Sequence, residues 1–104
     1  MCGFSGFFCA RKKRLVSDDF LGEMAAVLGH RGPDDLGIWY GQKRDIGLVH
    51  TRLGIIELSR AGRQPMLSSH ERFVIVFNGE VYNHRDLRSQ LEFVNSAPAW
   101  CGYS

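Results

Sequence analysis

The residue types that could do chemistry begin at the second position. Met1-Cys2-Gly3 places a thiol one residue from the initiator. With Met1 removed, Cys2 carries a nucleophile and a free α-amine on one residue. The two groups have comparable ordinary proton affinities, so the amine can accept the thiol proton at little cost and no separate histidine base is needed. Removal of Met1 suits a small second residue, and Gly3 leaves room for a substrate to approach the backbone. The same three residues also describe an ordinary thiol near a chain end, and position alone favours that reading, since single thiols rarely carry catalysis.

Three further clusters carry polar chemistry. His30-Arg31-Gly32-Pro33-Asp34-Asp35 is either a locally hydrogen-bonded turn or the wall of a pocket. Arg52 stands between two apolar runs, as a surface residue or as a guanidinium that grips a carboxylate with two parallel hydrogen bonds. Asn78-Gly79-Glu80 follows an apolar run and reads as a turn. The alternative is an oxyanion hole, with the Asn78 side-chain amide and the Gly79 backbone N–H aimed at a developing negative oxygen.

The elements that must position these groups follow from spacing. Residues 3 to 9, with Phe4, Phe7 and Phe8, predict a buried strand carrying Cys2 at its edge. Ser17 is a helix cap, and Leu21, Met24, Ala25 and Leu28 recur at helical spacing before Gly29 stops the helix. Residues 37–40 and 46–49 bracket a polar stretch and predict a hairpin. A further apolar run covers 53–58, and residues 59–69 form a long connection. Phe73-Val74-Ile75-Val76-Phe77 is apolar throughout and predicts a strand covered on both faces. Asn83 is a second cap, with Leu87, Leu91 and Val94 as the apolar stripe of a second helix.

Composition bounds the function classes. The 104 residues fit one domain, with 44% hydrophobic and 23% charged residues. Thirteen basic against eleven acidic residues give a net charge of +2, too weak a field to indicate nucleic acid or a membrane as partner. The basic run Arg11-Lys12-Lys13-Arg14 reads as a solvated turn. Cys2, Cys9 and Cys101 are odd in number and lack CxxC spacing, so neither a disulfide framework nor a zinc site is indicated and a reducing cytoplasm is the natural compartment. No secretory signal or spanning segment is read from the sequence.

Taken together, Met1-Cys2-Gly3 with Gly6-Phe7-Phe8, HRGPDD at 30–35, HTRLGIIELS at 50–59, QPM at 64–66 and NGEVYN at 78–83 resemble the N-terminal glutaminase domain of glutamine-hydrolysing asparagine synthetase. That domain is a class II glutamine amidotransferase of the N-terminal-nucleophile hydrolase fold. The resemblance implies an α+β fold, an α-β-β-α sandwich of two antiparallel sheets, of which residues 1–104 hold the first part. It implies hydrolysis of the L-glutamine side-chain amide to glutamate and ammonia, for use by an ATP- and Mg2+-dependent synthetase domain outside this segment in asparagine biosynthesis. No cofactor or metal is implied within the segment itself.

Carried onto this sequence, the resemblance makes Cys2 the nucleophile and Asn78 and Gly79 the oxyanion donors. Arg52 would hold the glutamine α-carboxylate, Glu80 would lie by its α-amino group, and the Ile55 and Ile56 backbone would line the same pocket. Arg31 is placed near the site without a defined role. Arg63 stands where many relatives have His, a departure read as minor. The alternatives are a truncated non-catalytic remnant or interaction module, or a different class II amidotransferase. With part of the domain outside the segment, the isolated 104 residues are expected to show little or no glutaminase activity. Exposed edges would favour association, and a homo-oligomer stays open as an arrangement.

Overall fold

The computed structural model describes residues 2–10, 18–54 and 60–94. The fold is mixed α and β, with two antiparallel sheets and two helices, as the sandwich expectation requires. Strand β1 (Gly3–Phe8), helix α1 (Asp18–Leu28), and strands β2 (Asp35–Tyr40) and β3 (Ile46–Arg52) come first. Strands β4 (Met66–Leu67) and β5 (Val74–Ile75) and helix α2 (His84–Phe93) follow.

The larger sheet has the order β1-β3-β2, so β3 lies at its centre with antiparallel neighbours on both sides. Side chains alternate across a strand, and that alternation gives β3 two different faces. Gly47, Val49 and Thr51 lie towards α1. Leu21 of α1 is fully buried, Ala25 nearly so, and a Cβ at Gly47 would run into Leu21 and the Phe7 ring. Phe7 also meets Phe20 of α1 edge to face at 5.8 Å. The predicted stripe is therefore the packed one. The α-helix stops at Leu28, and Gly29 opens a single 3-10 turn through Arg31.

The other face of β3 carries Ile46, Leu48, His50 and Arg52. It receives the chain at Gln64 and Pro65, joined by a cis peptide: a Cβ on Gly37 of β2 would overlap the Gln64 carbonyl. Gly37 lies opposite His50 in the ladder, so the absence of its side chain lets residue 64 lie over the middle of the sheet. The β2–β3 hairpin closes through the Gly41 N–H on the Ile46 carbonyl at 2.9 Å. Arg44 takes the positive φ of 52° in that turn and lies over the Tyr40 ring.

Several expectations are corrected. Strand β1 is half-buried, with Phe4 and Phe8 exposed on the face opposite α1. Residues 59–69 include β4, whose Met66 pairs with Ile75 and Leu67 with Val74. The run 73–77 is a strand only at Val74–Ile75, and Phe73, Ile75 and Phe77 are exposed; an all-apolar run marks a candidate for two-sided cover without supplying the layer that covers it. Asn83 occupies the N-cap position of α2 but its side chain makes no capping bond, its backbone being turned to φ −94°, ψ 26° rather than extended. Leu87, Leu91 and Val94 are exposed and α2 buries none of its residues, so it does not pack on the core. Ser17, Ile55, Ile56 and Cys101 lie outside the described residues.

Candidate active site

Cys2 enters the site from the edge of β1 and is partly buried. The Leu53 N–H reaches its sulfur at 3.4 Å, and the thiol lies 3.8 Å from the Leu53 carbonyl. The backbone just beyond β3 therefore holds the sulfur from two sides. The antiparallel pairing of Gly3 with Thr51 is what brings Cys2 to this end of β3.

The Cys2 carbonyl is held as well. The Asn78 side-chain amide donates to it at 2.9 Å across 76 positions of sequence. Arg31 Nε donates to the same oxygen at 3.5 Å. An asparagine amide carries two hydrogens, so one bond to Cys2 leaves the second for another acceptor at the same place. Gly79 and Glu80 follow on an exposed segment.

Arg52 is buried to 9% exposure at the end of β3, opposite Asp35 of β2 and one residue before the backbone that holds the thiol. Its carbonyl accepts from the Asp34 N–H at 2.9 Å, while Asp34 Oδ2 accepts from the Gly54 N–H at 2.8 Å. Asp34 of the HRGPDD segment is thus tied to the residues on both sides of Leu53. Thr51, also buried, places its hydroxyl 3.2 Å from the Leu28 carbonyl and 3.4 Å from that of Gly3, joining α1 to the residue after Cys2.

His50 is 1% exposed, and neither ring nitrogen has a hydrogen-bond partner among the described residues. Burial pushes its imidazole below the ordinary value. The nearby Phe77 backbone opposes this, short of hydrogen-bond geometry; Arg52 adds to the lowering and Asp35 opposes it. Asp35 is held below the usual carboxylate range first by hydrogen bonds from Arg63, against a smaller effect of burial, with Leu36 N–H, the Arg63 charge and Arg52 adding to the lowering. Arg63 meets Asp35 with two parallel bonds of 2.7 and 2.9 Å. A departure read from sequence as minor therefore forms a two-pronged ion pair that ties residue 63 to the start of β2.

Cys2, Asn78, Arg31 and Arg52 are brought to one end of β3. Ile55 and Ile56 lie outside the described residues, and the described contacts give Glu80 no bond within the site. Sequence reasoning missed the Leu53 backbone and the Gln64 side chain. The Leu53 role belongs to main-chain atoms that any residue would carry, but a glutamine before Pro65 at the start of a strand offered a signal.

Comparison with known proteins places the chain in a family. The glutamine amidotransferase domain model matches residues 1–100. The chain is 33% identical over 93 residues to asparagine synthetase (glutamine-hydrolyzing) 3 of Bacillus subtilis, covering 88% of this chain and 15% of that protein. It is 36% identical over 90 residues to asparagine synthetase B (glutamine-hydrolyzing) of Escherichia coli, covering 86% and 16%. It is 37% identical over 89 residues to asparagine synthetase (glutamine-hydrolyzing) 1 of Lotus japonicus, covering 86% and 14%. The chain spans 14 to 16% of the length of these three relatives. No solved structure matches it. A match that takes in the thiol, the Arg52 strand and the Asn78 turn in one continuous stretch decides the family: this chain belongs to the glutamine amidotransferase domains.

Proposed function

We propose that this chain supplies the amide-hydrolysing site of a glutamine-dependent asparagine synthetase. With Met1 removed, the Cys2 amine takes the thiol proton and the sulfur attacks the side-chain carbonyl carbon of L-glutamine. The negative oxygen that develops is met by the second Asn78 hydrogen and the Gly79 N–H. The C–N bond breaks as the protonated amine returns its proton to the leaving nitrogen, releasing ammonia. Water, deprotonated by the same amine, then cleaves the thioester to glutamate and regenerates the thiol.

Arg52 holds the glutamine α-carboxylate, Glu80 lies beside the α-amino group, and the Ile55 and Ile56 backbone completes the pocket. These reactions need no cofactor in residues 1–104. The ammonia passes to a synthetase domain that uses ATP and Mg2+ to make asparagine, in the cytoplasm. The observation that carries this reading is the 2.9 Å bond between Asn78 and the Cys2 carbonyl, which brings the oxyanion candidate to the nucleophile.

Ammonia release from glutamine by the protein carrying this chain, abolished by Cys2→Ala, is the expected result. Release unchanged in that variant overturns the reading. A non-catalytic interaction module or homo-oligomer is favoured by one observation, the exposure of Phe4, Phe8, Phe73 and Phe77. Concentration-dependent self-association without any Cys2-dependent ammonia release would select it.

A further inference from the structure

The ribbon β4–β5 stops two residues short of Asn78, and a side chain continues it. Met66 pairs with Ile75, and Ser68 at the far end faces Phe73, its N–H donating to the Phe73 carbonyl at 2.9 Å. Hydrogen-bonded pairs recur at every second position of an antiparallel ladder, so the next such pair is Gln64 with Phe77. The Gln64 main-chain carbonyl lies against Gly37 of β2 instead. At this pair the Gln64 side-chain amide provides the bonds: Nε2 donates to the Phe77 carbonyl at 3.1 Å, and the Phe77 N–H donates to Oε1 at 2.5 Å. A carboxamide has the donor and acceptor of a peptide group, so it can stand in for one.

Gln64 is itself anchored. Its carbonyl lies against Gly37, and its neighbour Arg63 grips Asp35. Both attachments are to β2, whose partner β3 ends beside the Cys2 sulfur. A continuous mechanical link therefore runs from the central sheet, through the Gln64 amide, to the residue that precedes Asn78.

We propose that Gln64 is a positioning residue for the Asn78–Gly79 donor pair, its carboxamide serving as a surrogate peptide group that fixes the Phe77 backbone against the sheet. This deepens the proposed function and rests on it for the identity of the reaction. Gln64 touches no reacting atom and acts through Phe77.

The test uses the full protein carrying this chain with a glutamine-shaped electrophile, 6-diazo-5-oxo-L-norleucine. On reaction the sulfur forms a bond to the diazo-bearing carbon, nitrogen gas leaves, and the thiol proton ends on that carbon. Labelling of Cys2 by this reagent is compared with labelling by iodoacetamide, which needs no oriented donors. Gln64→Ala is expected to slow directed labelling about 10- to 100-fold, the scale of a small misplacement at a reacting centre. Its iodoacetamide rate and melting temperature should stay close to those of the parent.

Gln64→Glu separates positioning from packing. Ionised, the substituted carboxyl can accept from the Phe77 N–H but repels the Phe77 carbonyl; protonated, it both donates and accepts. Its labelling rate relative to the parent should therefore recover as the pH falls towards 5. A ratio flat with pH, or directed labelling equal in all three proteins, overturns the positioning role and leaves the proposed function standing.

If the parent shows no glutamine-protected labelling of Cys2, the proposed function fails. Gln64 is then judged by hydrogen exchange of the Asn78 side-chain amide. Faster exchange in Gln64→Ala supports the positioning role, and unchanged exchange overturns it.

Discussion

The Asn78 amide nitrogen and the Cys2 carbonyl oxygen lie 2.9 Å apart, joined by a hydrogen bond that spans most of the chain. The bond fixes where the remaining Asn78 hydrogen can go, because a planar amide held through one hydrogen has little freedom left for the other.

Asn78→Ala is accordingly expected to lower kcat for glutamine hydrolysis about 100- to 1000-fold, or about 3–4 kcal/mol in the barrier. Asn78 is exposed, so the melting temperature should change little. Steady-state ammonia release beside a thermal melt checks both. Equal losses of rate and stability would point to folding instead.

Arg52→Lys keeps the charge and removes the planar fork. Losing a charge-assisted bond of about 1.5–3 kcal/mol should raise KM for glutamine about 10- to 100-fold while leaving kcat near that of the parent. A fall in kcat with KM unchanged would remove Arg52 from carboxylate binding.

His50 predicts a pH dependence of stability. Its folded-state proton affinity is lowered from the ordinary 6.5, chiefly by burial, so the unfolded chain binds the proton more readily. The contribution is therefore fully present above about pH 6.5 and is lost as the pH falls through the lowered folded value. Asp35 acts in the same direction further down, below its ordinary 3.8, through the Arg63 bonds. Urea midpoints should drop between pH 7.5 and pH 5.5, and His50→Leu should flatten that drop.

Gly37→Ala should destabilise the fold by about 1–3 kcal/mol, because the new methyl group meets the Gln64 carbonyl and Pro65 and something must shift. The displaced strap carries Gln64, so directed labelling of Cys2 should slow in the same variant. A urea midpoint equal to the parent's would show that the strap yields freely.

How much of this was legible depended on whether a property belongs to one side chain or to an arrangement. The α1 stripe at Leu21 and Ala25 could be read because burial periodicity is written in residue type. The β2–β3 hairpin was equally plain from its polar bracket. The role of Leu53 could not be read, since the atoms used are main-chain ones common to every residue. The pairing of Gln64 with Phe77 depends on the β4–β5 register, and β4 is two residues long, too short for alternation to announce it. The second helix misled for the opposite reason: its apolar spacing is correct, but spacing records what a helix could pack against and not whether that layer is there.

The anchoring of Cys2 has a bearing on maturation. Asn78 and Arg31 act on its carbonyl, and Leu53 acts on its sulfur. All of these handles lie on the far side of the Cα from the bond to Met1. Cutting that bond would therefore free the α-amine without releasing the residue, so the thiol is already seated when the amine is exposed.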